Sequence, residues 1–297
     1  MRPGQRAAAW AAWPVGLLLV LAHTLGEVFP LPVFLLLDAA YVAGVLLLMR
    51  ALRAGEDRTA AALVLAGPAV FALAGLTGVP TARYPGAMLL NAVVLLAAAA
   101  VLLVAAGRLA LRAGAPGRAP ALLAVVALVV GSTGYLANLL ARWAVVASGA
   151  SGLQASVEDA AWFASEYLSG LPGEPGYLAF VLVWIDLLQL AYVVLAYLGS
   201  GALALALGRS GAVPRGTARA VAVAGPVLAG LVVAAAAVAG GVAGPPGAVA
   251  AWAALVLTIP FMSTLLPHVL GIGLLRAARR PAGTVDDPRP VGASSRP

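Results

Sequence analysis

Cysteine and lysine are both absent from the chain of 297 residues, whose 18 basic side chains are all arginine. Without cysteine, the sequence excludes disulfide exchange, thiolate catalysis, cysteine-ligated zinc and iron–sulfur clusters. Without lysine, it excludes retinal-type and other Schiff-base chemistry. Charge is also scarce, since 10% of the residues are charged and 63% are hydrophobic, whereas a soluble domain is about 25% charged and about 45–50% apolar. This composition predicts an integral membrane protein with no soluble catalytic domain.

Hydrophobic stretches of about 20 residues or more, the length that a hydrocarbon core of about 30 Å requires, follow one another along the chain. The predicted spans are 7–29, 31–49, 59–79, 87–107, 120–147, 177–207, 218–242 and 248–275. The sequence therefore predicts an all-α fold, a polytopic bundle of about eight transmembrane helices that forms one domain over residues 1–280. Residues 281–297, rich in proline and arginine, are predicted to be a disordered tail.

The arginines predict the orientation of this bundle. If the N-terminus is cytoplasmic, sixteen of the eighteen arginines fall on the cytoplasmic side, and only Arg83 and Arg142 do not. This is a strong positive-inside pattern, which places both termini inside. It also accounts for the net charge of +7, because a basic inner face opposes anionic lipid headgroups and needs no nucleic acid. The composition is typical of a GC-rich bacterial genome, so we expect a bacterial inner-membrane protein whose partner is the lipid bilayer.

Polar side chains inside the spans are the candidate site residues, because an ionisable group in the bilayer costs roughly 2.5–3.5 kcal/mol and normally has a partner or a role. With an inner N-terminus, nearly all of them fall in the outer half of the membrane, and many lie three or four residues apart on one helix face. They are His23, Glu27, Asp38, Tyr41, Asn91, Asn138, Arg142, Asp186 and Gln189.

Two interpretations of these residues are open. In the first, they converge on an outward-facing polar cavity in which Arg142 pairs with Asp186 or Asp38. In the second, the same ion pair is a structural clamp that holds the helices in register and binds no ligand.

Histidine is too sparse to predict a metal or haem site. His23 and Glu27 have the spacing of two ligands on one helix, but a metal site usually needs three or four. The second histidine, His268, lies at a different depth, after Pro267 and one turn after Thr264. We therefore favour a hydrogen-bonded structural histidine beside a proline kink over the alternative of a proton relay, and we expect neither a metal nor any cofactor.

The outer loop, residues 149–176, contains a predicted short helix with three aromatic side chains, Trp162, Phe163 and Tyr167. These residue types are typical of an aromatic anchor at the membrane interface. The same helix could instead form a lid over the outer ends of the spans, with its acidic residues attracting cations.

Three functions are consistent with this sequence. The leading interpretation is a small-solute or ion transporter or permease-like protein, with Asp186, Asp38 and Arg142 as its polar centre. The alternative is a non-transporting accessory or sensory membrane subunit. The third is a membrane-embedded enzyme that acts on a lipid-like substrate, with His23 and Glu27 as its acid–base pair.

Overall fold

The computed structural model of the protein describes residues 3–24, 30–53, 57–76, 85–147, 176–241, 245–258 and 260–278. The prediction of an all-α protein is confirmed for this part of the chain, which contains no strand. Its helices are α1 (Pro3–Thr24), α2 (Leu31–Arg53), α3 (Arg58–Leu76), α4 (Pro85–Arg112), α5 (Gly114–Ala147), α6 (Gly176–Arg209), α7 (Arg215–Gly241), α8 (Pro245–Thr258), a 3₁₀ turn (Pro260–Thr264) and α9 (Leu265–Ala277).

Six segments of these helices are long and apolar enough to cross a membrane, so the chain is a multi-pass membrane protein. They are Gly4–Ala22, Pro32–Leu52, Val93–Arg112, Gly114–Ala141, Trp184–Arg209 and Arg215–Val238. The segments Arg58–Leu73 and Phe261–Ala277 are apolar but shorter. They lie largely within the third and eighth predicted spans, so the count of eight stays a prediction.

Several helices run past the ends that hydrophobicity predicts, because arginine is a good helix former whose long side chain can reach the interface. Helix α2 continues beyond Met49 to Arg53, and α4 continues beyond Gly107 to Arg112. The connection between the fourth and fifth predicted spans, residues 108–119, is therefore helical except at Ala113. It is reduced to a tight turn at Gly114, whose φ of 61° is accessible to glycine at little cost.

Helix α6 is the centre of the bundle. In an 18-residue apolar stretch within its segment Trp184–Arg209, 67% of the residues are buried, whereas the corresponding stretches of the other five long segments are 17% to 39% buried. Its main neighbours are α5 and α7, and α4, α8 and α9 contact it less extensively. Helix α3 is the second point of assembly, because α1, α2, α4 and α9 all pack against it.

Close approach between α6 and α7 depends on two glycines that face each other. A Cβ atom added at Gly225 would lie 2.6 Å from the Tyr197 carbonyl oxygen, and one added at Gly201 would lie 3.3 Å from Pro226 Cδ. Small residues of this kind allow helices in a membrane to pack through their backbones.

The last hydrophobic segment is discontinuous. Helix α8 ends at Thr258, the 3₁₀ turn follows, and α9 begins at Leu265. Pro260 accounts for the break, because proline has no N–H to donate to the carbonyl four residues earlier and its ring clashes with that carbonyl. We call residues 258 and 260–264 the helix break.

Candidate functional site

The helix break is the most polar part of the described interior. Thr258, Ser263 and Thr264 are at most 1% exposed, although they lie in an otherwise apolar segment. Buried hydroxyls and the last carbonyls of α8 need hydrogen-bond partners in a membrane, where no water is available to supply them. The Thr258 hydroxyl donates to the Ala254 carbonyl of its own helix, and side chains from α6 and α1 supply other partners.

Helix α6 makes three polar contacts with the helix break and its flank. Gln189 Nε2 donates to the Thr258 carbonyl at 3.2 Å, and the Tyr197 hydroxyl donates to the Leu257 carbonyl at 3.1 Å. The Tyr192 hydroxyl lies 3.0 Å from Ser263 Oγ. These contacts fix the broken helix against the centre of the bundle.

Helix α1 reaches the other side of the helix break through Trp13. Its indole Nε1–H donates to Thr264 Oγ1 at 2.8 Å, and the Thr264 hydroxyl in turn donates to the Phe261 carbonyl at 2.7 Å. Gly67 on α3 leaves the room for this contact, since a Cβ there would lie 2.5 Å from Thr264 Oγ1. Phe71 fills the space between the Trp13 and Phe261 rings, at 5.6 Å and 5.1 Å between centroids.

One turn after Thr264, the imidazole of His268 is 2% exposed and joins three helices. Its Nδ1 lies 2.8 Å from the Val64 carbonyl oxygen of α3, and its Nε2 lies 2.9 Å from the Ala9 carbonyl oxygen of α1. His268 is therefore hydrogen-bonded to two helices that lie more than 200 positions away in the chain.

A small cavity of about 20 Å³ lies beside the helix break. Four hydroxyl groups contribute to its otherwise apolar wall, those of Ser132, Tyr192, Ser200 and Ser263. A cavity of this size holds about one water molecule. The described conformation is thus closed to anything larger at this point.

Two of the residues that the sequence singled out come together where α5 packs on α6. Asp186 is 0% exposed and Asn138 is 1% exposed. The Asn138 side-chain amide donates to the carbonyl of Ile185, the residue before Asp186. Gln189 follows one turn later on α6 and reaches the helix break, so these three residues form one polar stripe between α5, α6 and α8.

Asp38 and Tyr41 belong to a different part of the bundle. Asp38 is 6% exposed on α2, and the Tyr41 hydroxyl donates to the Ala12 carbonyl of α1 at 2.7 Å. A Cβ added at Gly16 would clash with that hydroxyl, so Tyr41 is pressed directly against α1. Since α2 packs mainly on α1 and α3, whereas α6 packs mainly on α5 and α7, the described contacts form two polar groups rather than one.

The remaining predicted site residues give no side-chain geometry. Helices α1, α4 and α5 carry His23, Asn91 and Arg142, but the structure describes only the backbone at these positions. Residues Glu27, Trp162, Phe163 and Tyr167 lie outside the described residues altogether. The pairing of Arg142 with an acid, the His23–Glu27 pair, and the anchor or lid thus stay predictions.

The described side chains also bear on metal binding. In this part of the protein, no group of three or more histidine, aspartate or glutamate side chains is arranged to hold a metal ion.

Sequence reasoning missed Trp13, Tyr192 and Ser263 as polar contacts. A usable signal was present, because Ser263 and Thr264 are adjacent hydroxyl residues that closely follow Pro260 within an apolar segment. Freed carbonyls and hydroxyls in such a segment require donors, and tryptophan and tyrosine are the residues that supply one from an otherwise apolar side chain.

The architecture defines a multi-pass helical membrane protein with a broken terminal helix. No protein-family model matches the chain, and no curated protein or solved structure is significantly similar to it.

Proposed function

We propose that the chain is a small-solute or ion transporter, or a permease-like protein, of the bacterial inner membrane. The observation that carries this proposal is the discontinuous last segment with its buried polar shell. In many transporters, broken helices line the substrate or ion site, because their free backbone groups and helix ends are satisfied by neighbouring helices or by the cargo. Here the neighbouring helix is α6, whose Gln189, Tyr192 and Tyr197 side chains form hydrogen bonds with the broken segment.

The proposed topology has eight spans with both termini in the cytoplasm. Arginines lie at the ends of helices that such a topology brings to the same face, such as Arg53 at the end of α2 and Arg58 at the start of α3. Two contacts support a common face. Arg112 at the end of α4 lies 3.3 Å from Asp57, just before α3. Arg276 near the end of α9 lies over the ring of Trp10, early in α1, at 5.3 Å.

The polar stripe formed by Asn138, Asp186 and Gln189 is the proposed contact surface for cargo. Candidates that the sequence alone supplies are Arg142, His23, Glu27 and Asn91, and Asp38 and Tyr41 belong to the separate polar group beside α1. The stripe reaches the helix break, where the 3₁₀ turn Pro260–Thr264 replaces α-helical hydrogen bonding between α8 and α9, so the two helices can move relative to each other. Because the neighbouring cavity holds about one water molecule, cargo requires an opening motion. We place that motion at the helix break.

Cysteine accessibility tests this proposal, and the natural absence of cysteine makes the wild-type chain a ready background. Gln189→Cys is expected to react with a membrane-impermeant maleimide in right-side-out or inverted vesicles. The matched control on the same helix is Val193→Cys, because Val193 is 0% exposed. We expect Gln189→Cys to react about tenfold faster or more, since the stripe opens to water while the core does not. Equal protection of both cysteines from both sides would refute transport through this stripe.

The alternative is the accessory or sensory subunit, and the structure contains one observation in its favour. Asn138, Gln189 and Tyr197 all donate to backbone carbonyls of other helices, which is what a clamp requires. Equal protection in the labelling experiment is the outcome that this alternative predicts.

A further inference from the structure

Among the described residues, the hydrogen-bonding groups that face the His268 ring are two acceptors and no donor. Both of its ring nitrogens face backbone carbonyl oxygens, at 2.8 Å and 2.9 Å, and a carbonyl oxygen only accepts hydrogen bonds. A neutral imidazole has one N–H and one lone pair, so it can satisfy only one of these carbonyls. The imidazolium cation has two N–H groups and satisfies both.

The Val64 carbonyl has a specific reason to bind the imidazole. Its intrahelical partner would be the N–H of residue 68, and that residue is proline, which has none. The Val64 carbonyl therefore lacks its usual helical donor and accepts from His268 Nδ1 instead. The Ala9 carbonyl differs, because residue 13 of α1 is tryptophan and has a backbone N–H.

We propose that His268 is a proton-binding site, and that its protonated form is the one that holds α1 against α9. When the proton is released, the remaining N–H stays on Nδ1 and keeps its hydrogen bond to the Val64 carbonyl. The Nε2 lone pair then opposes the Ala9 carbonyl oxygen, and the contact with α1 is lost. The inference does not depend on the transport proposal.

Packing explains why α1 moves and α3 does not. A Cβ atom added at Gly271 of α9 would lie 2.8 Å from Val64 Cγ2 and 2.9 Å from the Ala60 carbonyl oxygen. Helices α3 and α9 are thus in direct backbone contact around the imidazole. Helix α1 meets α9 over a much smaller area, so its position depends more on single hydrogen bonds such as that from His268.

The charges on the helices packed against α9 do not neutralise an imidazolium. The described parts of α1, α3, α7, the 3₁₀ turn and α9 itself contain no acidic residue, and the one acid of α6 is Asp186. The arginines of these helices are exposed, and none contacts His268; they are Arg6, Arg58, Arg209, Arg215, Arg219 and Arg276. Because two carbonyl dipoles alone compensate the cation, the proton is exchangeable and is not locked in by a carboxylate.

Nitrogen-15 NMR of histidine-labelled protein in micelles tests the first half of this proposal. The chain has two histidines, so the resonances missing from His268→Gln assign His268 without further variants. Between about pH 8 and about pH 5, the range in which histidine normally titrates, we expect Nε2 to gain a proton while Nδ1 stays protonated. A His268 ring that stays neutral throughout, or one in which Nδ1 is the nitrogen that titrates, would overturn the proposal.

Spin-label distances test the second half. Labels on Ala8→Cys in α1 and Ala278→Cys after α9 report the separation of these helices, and both positions are exposed. We expect a longer and broader distance distribution at the higher pH than at the lower. His268→Gln in this background should remove the pH dependence, because a glutamine amide does not titrate. A distance that is unchanged across the His268 transition would show that protonation does not hold α1.

Discussion

Replacing Gly225 by alanine should force α6 and α7 apart. The added Cβ would lie 2.6 Å from the Tyr197 carbonyl oxygen and 3.0 Å from the Gly201 Cα. Both atoms belong to the backbone of α6, so no side-chain rotation relieves the clash. The helices must separate locally by about 0.4–0.8 Å to restore an ordinary van der Waals distance.

The free energy that this separation costs depends on the contact area between α6 and α7. A gap of about 0.5–1 Å forfeits roughly a quarter to a half of the dispersion energy of each contact across it. Overpacking of well-packed cores costs about 1–3 kcal/mol. Since α7 is one of the two main neighbours of α6, we expect a loss of about 1–3 kcal/mol in the free energy of unfolding.

Gly230→Ala is the matched control, because Gly230 lies on the same helix and a Cβ added there would have no contacting atom within 4 Å. Both variants gain the same helix propensity, worth up to about 1 kcal/mol, so their difference isolates the clash. Equilibrium unfolding in mixed detergent and dodecyl sulfate micelles measures both. Equal stability of Gly225→Ala and Gly230→Ala would refute close packing of α6 on α7 at this point.

Three further substitutions test contacts at the helix break and at the arginine-rich face. Thr264→Val keeps the shape of the side chain but leaves the buried indole N–H of Trp13 without its acceptor, so we expect a loss of about 1–3 kcal/mol in unfolding free energy. The loss should be smaller when Trp13 is already phenylalanine, because the substitution then removes only the hydrogen bond from Thr264 to the Phe261 carbonyl. Asp57→Ala removes the acceptor for the first backbone N–H groups of α3, at 3.0 Å and 3.1 Å, and should cost about 0.5–2 kcal/mol. Arg112→Ala removes only the exposed ion pair and should cost about 0–1 kcal/mol; an equal loss in both variants would contradict a capping role for Asp57. Thermal or dodecyl sulfate unfolding of the purified variants measures all of these losses.

The helical class and the approximate positions of the helices could be predicted, because length and hydrophobicity determine what can lie in a bilayer. Helix ends were less predictable. Arg50 and Arg53 signal the inner interface, but they also continue α2 as good helix formers. Pro260 was visible in the sequence, yet a proline can kink a helix or end it. The choice depends on whether neighbours such as Gln189 and Tyr197 satisfy the freed carbonyls.

The contacts of the candidate site were less predictable from the sequence than the helices. Burial of Asp186 and Asn138 side by side follows from the cost of polar groups in lipid, which is a local argument. Which carbonyls His268 contacts is not local, since Ala9 lies 259 positions away. The spacing of Thr264 and His268 suggests a contact within the turn, whereas the actual partners belong to α1 and α3. Pairings of this kind depend on tertiary packing, which the periodicity of hydrophobic residues in the sequence does not predict.

The joining of the first helix to the last has a consequence for biosynthesis. Trp13 and Ala9 meet their partners only after 251 and 259 further positions of chain have been made. At the usual rate of roughly 5–20 residues per second, this wait lasts roughly ten to fifty seconds. Throughout it, the indole N–H of Trp13 and the Ala9 carbonyl lack these partners in the nascent protein. A product truncated before Thr264 leaves both groups without these partners, so an interrupted translation affects the packing of the first helix.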